Sequence, residues 1–251
     1  MKLSDKRIIV TGAGAGMGEA GIRLFRAEGA KLAAIDVDGT ALAALEAELP
    51  GLICIQADLG DPDAVAAAIE KGAQKLGGLD GLWSHAGMNG PASVEDMDPA
   101  AYDATVALNL TASVRAVSAA LPFLRDAGGG AILLTSSVAG LVGSIQSPIY
   151  SATKHGVIGL AKSLALKYAA EGIRVNALCP GPVRTRMMED LRAGKLHPDG
   201  PAIVERLIAS IPLGRLAEPA ELAEAALWLL SDASSFVTGT ALAVDGGTTA
   251  R

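Results

Sequence analysis

Two cysteines, three histidines and 3% aromatic residues in 251 leave little room for several chemistries. Cys54 and Cys179 lie in separate strand-like runs, with no metal-ligand spacing around them. That argues against a disulfide framework and a cysteine-based metal site, and suits buried free thiols in a reducing cytoplasm. No apolar run reads as long enough for a membrane span, and Met1–Lys6 lead into the first strand without a signal-peptide pattern. Blocks of like charge are missing as well. With 21 Lys and Arg against 27 Asp and Glu, the formal net charge is −6. No basic stripe is available for nucleic acid or an anionic membrane surface. Neither a linker nor a repeat interrupts the chain, so residues 1–251 are expected to form one domain, long enough to bury a large core.

What is present is aliphatic and alternating. Half the residues are hydrophobic, mainly Ala, Val and Leu. Strand-like runs fall at Ile8–Val10, Leu32–Ile35, Leu52–Ile55, Gly81–Ser84, Ala131–Thr135, Val175–Cys179 and Ala241–Val244. Helical patterns lie between them, notably Asp63–Leu76, Pro99–Arg125, Ile149–Ala170 and Pro219–Leu230. Such alternation predicts an α/β fold: a doubly wound parallel sheet with helices on both faces and a ligand crevice at the C-terminal strand ends.

The first strand runs directly into Thr11-Gly12-Ala13-Gly14-Ala15-Gly16-Met17-Gly18, then a helical pattern, then a second strand ending in Asp36. A glycine-rich turn lets backbone amides and a helix N-terminus approach a pyrophosphate, and an acid about 20 residues on can bind an adenosine ribose. Further along, Tyr150 and Lys154 stand four residues apart on one helical face. An ammonium beside a phenol is expected to lower its pKa from about 10, so that the tyrosine exchanges a proton near neutrality.

These motifs, in this order, resemble the classical short-chain dehydrogenase/reductase family over essentially the whole chain. Gly12-x-x-x-Gly16-x-Gly18, Asp58-Leu59, Leu108-Asn109-Leu110, Thr135-Ser136-Ser137, Tyr150-x-x-x-Lys154, Pro180-Gly181-Pro182-Val183-Arg184-Thr185 and Asp245-Gly246-Gly247 all match. The resemblance implies a Rossmann-type sheet of seven strands. It implies a catalytic set of Asn109, Ser137, Tyr150 and Lys154. For the cofactor it implies Gly12, Ala15, Gly16, Met17, Gly18, Asp36, Val37, Asp58, Leu59, His85, Ala86, Gly87, Tyr150, Lys154, Pro180, Gly181, Val183 and Thr185. One motif departs: Ser84-His85-Ala86-Gly87 stands where the family usually has Asn-Asn-Ala-Gly. His85 is read as a neutral imidazole replacing the asparagine's structural hydrogen bonds, with a substrate or cofactor contact as the alternative.

Asp36, with no Arg or Lys in the glycine loop and Asp38 nearby, favours NAD over NADP, because a ribose 2′-phosphate would meet like charge. The expected reaction is reversible hydride transfer between a secondary alcohol and nicotinamide. Tyr150 serves as acid or base, Ser137 holds the substrate oxygen, and Lys154 tunes the phenol and binds ribose. By resemblance, Asn109 holds a water leading to solvent. The substrate is a small alcohol or ketone against Val138, Ser144, Gln146, Met187 and Met188, under a lid at Arg184–Pro212. A 3-oxoacyl carrier protein reductase, a sugar or polyol dehydrogenase and a non-catalytic NAD-binding regulator are the alternatives. The resemblance also implies a homotetramer in the cytoplasm. No metal is expected.

Overall fold

The computed structural model describes residues 1–144, 147–194 and 198–250. The chain starts with strand β1 (Arg7–Thr11), helix α1 (Gly16–Ala27), β2 (Lys31–Asp36), α2 (Gly39–Glu48), β3 (Ile53–Gln56), α3 (Pro62–Leu76) and β4 (Gly81–Ser84). Next come α4 (Pro99–Val106), α5 (Ala112–Asp126), β5 (Gly130–Thr135), α6 (Pro148–Tyr168) and β6 (Ile173–Pro180). The last elements are α7 (Arg186–Arg192), α8 (Gly200–Ser210), α9 (Pro219–Leu230) and β7 (Ala241–Val244).

All strands pair in parallel, in the order β3-β2-β1-β4-β5-β6-β7. Successive strand residues point to opposite faces, so Ile9 and Ile35 join one apolar layer while Ile8, Val10 and Ala34 join the other. The first layer is closed by α3, α5 and α6. The second is closed by α1, α2 and α9, with Phe25 against Trp83 at 5.7 Å between ring centres. Burial on both faces explains the near-continuous apolar strand runs. Helix starts are set locally: Asp38, Asp61, Asp98 and Ser147 accept amide hydrogen bonds at the starts of α2, α3, α4 and α6. Chain order reverses between β1 and β4, and the crevice expected for such a sheet opens there.

Three expectations need correction. Pro99–Arg125 is not one regular helix, because a π-helical turn at Ala107–Thr111 separates α4 from α5. The 28-residue stretch Pro99–Asp126 contains an 18-residue window of mean hydropathy 1.3, long and apolar enough to cross a membrane by length and composition, contrary to the sequence reading. Its Ala112, Ala116, Ala120 and Leu124 recur every four residues and lie in the core, which accounts for the apolar content. Cys54 is only partly buried, whereas Cys179 is fully so; both are free thiols.

Candidate active site

At the end of β1 the chain turns through Gly12 with φ +65°, where a Cβ would sit 2.9 Å from the Ala86 Cα. Only glycine combines that conformation with that approach. A side chain on Gly18 would run into the Gly12 carbonyl, so this residue serves helix–strand packing and does not line the cleft. The loop leads into α1, whose start carries no side-chain cap, unlike α2, α3, α4 and α6. Uncapped helix amides next to a loop of glycines and alanines form an anion cradle. Asp36 closes the far side: its Oδ2 accepts from the Gly14 amide at 2.8 Å and its Oδ1 from the Asp38 amide at 3.0 Å. Thr11 Oγ1 ties the two sides of the switch point together, accepting from the amides of His85 at 2.9 Å and Ala86 at 3.2 Å.

The second half of the site is built where β5 meets α6. Ser147 caps α6 by accepting from the Tyr150 amide at 3.1 Å, and Pro148 follows in the first turn. Ser136 Oγ donates to the Lys154 carbonyl at 2.8 Å, and Ser151 Oγ donates to the Ala139 carbonyl at 2.6 Å. These bonds fix the helix against the strand end and bring Tyr150 and Ser137 onto the same cleft wall. Lys154, 2% exposed, donates from Nζ to the Thr135 carbonyl at 3.0 Å and sits 5.5 Å from the Tyr150 ring centre. Burial lowers the Lys154 pKa to about 8.

The expected acidification of Tyr150 by Lys154 is not what this structure shows. Burial raises the phenol above its ordinary range, and the opposing pull comes from the Ser137 hydrogen bond. The Lys154 ammonium is turned to the Thr135 carbonyl instead. Asn109 is brought beside the site without lining it. From the π-helical turn, its Oδ1 accepts from the Met88 amide at 2.8 Å, and its Nδ2 donates to the Met88 carbonyl at 2.9 Å and to Thr153 Oγ1 at 3.3 Å.

Burial, with the Lys154 charge nearby, pushes the His85 pKa down to about 4. Its Nδ1 lies 3.1 Å from Thr135 Oγ1, and its ring lies 4.9 Å from that of Trp83.

A cleft of about 440 Å³ joins the two halves. Of the expected residues it gathers Gly12, Ala15, Gly16, Met17, Asp36, His85, Ala86, Gly87, Ser137, Tyr150, Lys154, Pro180, Gly181, Val183, Thr185 and Met188. Several expected residues are not on its wall. Val37 is exposed beyond it, and Leu59 is in the core. Asp58 holds the Gly60 amide at 2.8 Å. Val138 and Ser144 are likewise off the wall. Gln146 and the Met187 side chain lie outside the described residues. Sequence reasoning missed Asn89, Thr135 and Ser136 as cleft residues. Thr135 and Ser136 end a strand immediately before Ser137, and that position was the available signal. A larger concavity, about 660 Å³, opens at the opposite end of the sheet. Its charged groups are spent within the protein: Lys6 on Asp232, Asp80 on Arg7, and Arg174 on the Ser231 and Val237 carbonyls.

The uncapped start of α1, the glycine- and alanine-built loop and the distant acid fit a dinucleotide: an anion cradle in the middle, hydroxyl acceptors at one end, proton-exchanging groups at the other. Similar proteins agree. The family model described as Enoyl-(Acyl carrier protein) reductase matches residues 12–249. The 2-(S)-hydroxypropyl-CoM dehydrogenase 3 of Xanthobacter autotrophicus is 39% identical over 99% of this chain and 98% of its own. The cis-4-hydroxycyclohexanecarboxylate dehydrogenase of Sinomonas cyclohexanicum is 41% identical over 98% of each. The crystal structure of levodione reductase superposes with a TM-score of 0.93 at 33% identity, covering 99% of both chains. Fold, site geometry and full-length relatives together make the chain an oxidoreductase of the classical short-chain dehydrogenase/reductase family, which uses a nicotinamide nucleotide.

Proposed function

We propose that the protein interconverts a secondary alcohol and a ketone with NAD(H). The observation that carries this reading is that Ser137, Tyr150 and the buried Lys154 share one cleft wall, in the same cleft as Asp36. When bound, the nicotinamide supplies the hydride acceptor or donor. As the phenolate, Tyr150 takes the alcohol proton during oxidation; as the phenol, it gives that proton to the ketone oxygen during reduction. Ser137 donates a hydrogen bond to the substrate oxygen, where charge develops. Lys154 keeps a positive charge near that proton and offers donors to a ribose. Asn109 holds the Met88 segment over Lys154.

Asp36 supports NAD over NADP: its carboxylate would repel a 2′-phosphate, and no cation of the glycine loop offsets it. Hydroxycyclohexanecarboxylate and dichlorocyclohexadiene-diol in the names of two relatives support a small cyclic secondary alcohol as substrate. The paired helices α7 and α8 are assigned as the lid, with Met188 on the cleft wall. The functional unit is proposed to be a cytoplasmic homotetramer. Steady-state rates with a panel of cyclic and acyclic secondary alcohols, run with NAD and NADP, test the reading. NAD is expected to give the higher kcat/KM. Asp36→Ala is expected to weaken NAD use and improve NADP use. A wild type that prefers NADP overturns the cofactor assignment; no turnover with any alcohol overturns the reaction.

A further inference from the structure

The cleft contains a hydrogen-bond relay that the proposed reaction does not use. Trp83 Nε1 donates to Thr135 Oγ1 at 2.8 Å, and the same oxygen lies 3.1 Å from His85 Nδ1. An indole nitrogen is a donor only, and a hydroxyl has one hydrogen to give. Thr135 is 7% exposed, and among the described residues its hydroxyl hydrogen has no other acceptor than His85 Nδ1. If Nδ1 carried the proton instead, that hydroxyl hydrogen would be buried without a partner, a cost that folded proteins rarely leave in place. The relay therefore runs Trp83 to Thr135 to His85 and puts the imidazole proton on Nε2. No buried side-chain nitrogen or oxygen is left without a partner among the described residues, and Nε2 makes no protein hydrogen bond there. It is thus accessible, and the space beside His85 is the cleft, between Gly12, Ala86 and Lys154.

We propose that the Trp83–Thr135 relay locks His85 as the Nε2–H tautomer, and that this N–H is a positioning donor to an oxygen of the bound dinucleotide. The proposal rests on the nicotinamide reading of the cleft. His85 is held rigidly, since its ring lies against Trp83 and its backbone amide is fixed by Thr11. An asparagine at this position would offer an amide donor with a different reach, so the histidine sets where the acceptor oxygen must lie.

Two measurements on the full chain test this. Nitrogen-15 NMR of wild type, with the His85 signals assigned by their loss in His85→Asn, is expected to show the Nε2–H tautomer. A dominant Nδ1–H form overturns the relay, and this measurement requires no variant to be active. NADH titration by fluorescence is expected to show His85→Phe, which keeps the ring stacking, weakened about five- to tenfold, with His85→Asn recovering part of the loss. Unchanged NADH affinity in a folded His85→Phe overturns the donor role. If its NADH affinity is unchanged and only the KM for alcohol at saturating cofactor rises, the acceptor belongs to the substrate and the dinucleotide assignment falls. Wild type that fails to bind NADH removes the functional reading itself, a result separable from the others.

Discussion

Tyr150 carries a phenol raised by burial and drawn back by Ser137, while Lys154 spends its ammonium on the Thr135 carbonyl. The proton-transfer role then depends on geometry: the phenol is the group aimed with Ser137 into the cleft. Tyr150→Phe is expected to lower kcat by about 10²- to 10⁴-fold while leaving NADH affinity nearly intact, since only a hydroxyl is lost. Retention of more than about a tenth of wild-type kcat, measured beside an NADH titration, contradicts that role. The sequence made the i, i+4 spacing legible but not the direction of Nζ, which depends on where β5 ends. The identity of His85 was legible too; its tautomer was not, because Thr135 and Trp83 reach it only through the sheet. His85 also makes stability depend on pH. Its folded pKa of about 4 lies below the ordinary 6.5, so the unfolded chain binds its proton first as pH falls. Its contribution is complete above pH 6.5 and is lost on descending towards about 4, by up to about 1.4 kcal/mol per pH unit. Melting curves of wild type and His85→Asn at stepped pH are expected to converge as pH falls through that window; parallel curves speak against a buried neutral imidazole.

At the scale of elements, seven strand runs and the longer helices were readable because both sheet faces are buried and aliphatic. Helix α2 was not marked, since Gly39–Glu48 alternates alanine with leucine and glutamate and buries little beyond Leu42 and Leu45. The π-helical turn has no composition of its own, and a site-bearing irregularity of this type emerges only from packing. Its consequence is Asn109, 1% exposed, whose amide clasps both backbone groups of Met88 and so joins the helix to the segment after β4. Removing the amide leaves a partly buried N–H and C=O of Met88 without these partners. Asn109→Ala is expected to cost about 1–3 kcal/mol of stability and to lower kcat along with it. Calorimetry and kinetics check both. An unchanged melting temperature rules out the clasp, and lost activity at full stability moves Asn109 to the chemistry itself.

For the whole molecule, a sheet edge and several exposed apolar side chains mark surfaces that a second copy could cover. Among the described residues β7, like β3 at the other end of the sheet, is paired on one side, and an exposed edge is ordinarily paired, covered or charged. In the segment leading into β7, Phe236 is fully exposed, and Trp228 of α9 is 37% exposed. On the opposite face, Leu166 of α6 and Val114 of α5 are 87% and 43% exposed, although both helices bury their other sides in the core. Two separate apolar surfaces on identical chains would close the proposed tetramer with D₂ symmetry if each paired with its counterpart on a second copy. Light scattering at micromolar concentration is therefore expected to give about four times the chain mass of 25.3 kDa. Leu166→Asp is expected to reduce this to a dimer held through the β7 side, and Phe236→Asp to a dimer held through α5 and α6. The double variant is expected to be monomeric. A wild-type dimer removes one of the two surfaces, and the single variant that leaves that dimer intact identifies which one; a wild-type monomer under active conditions removes both.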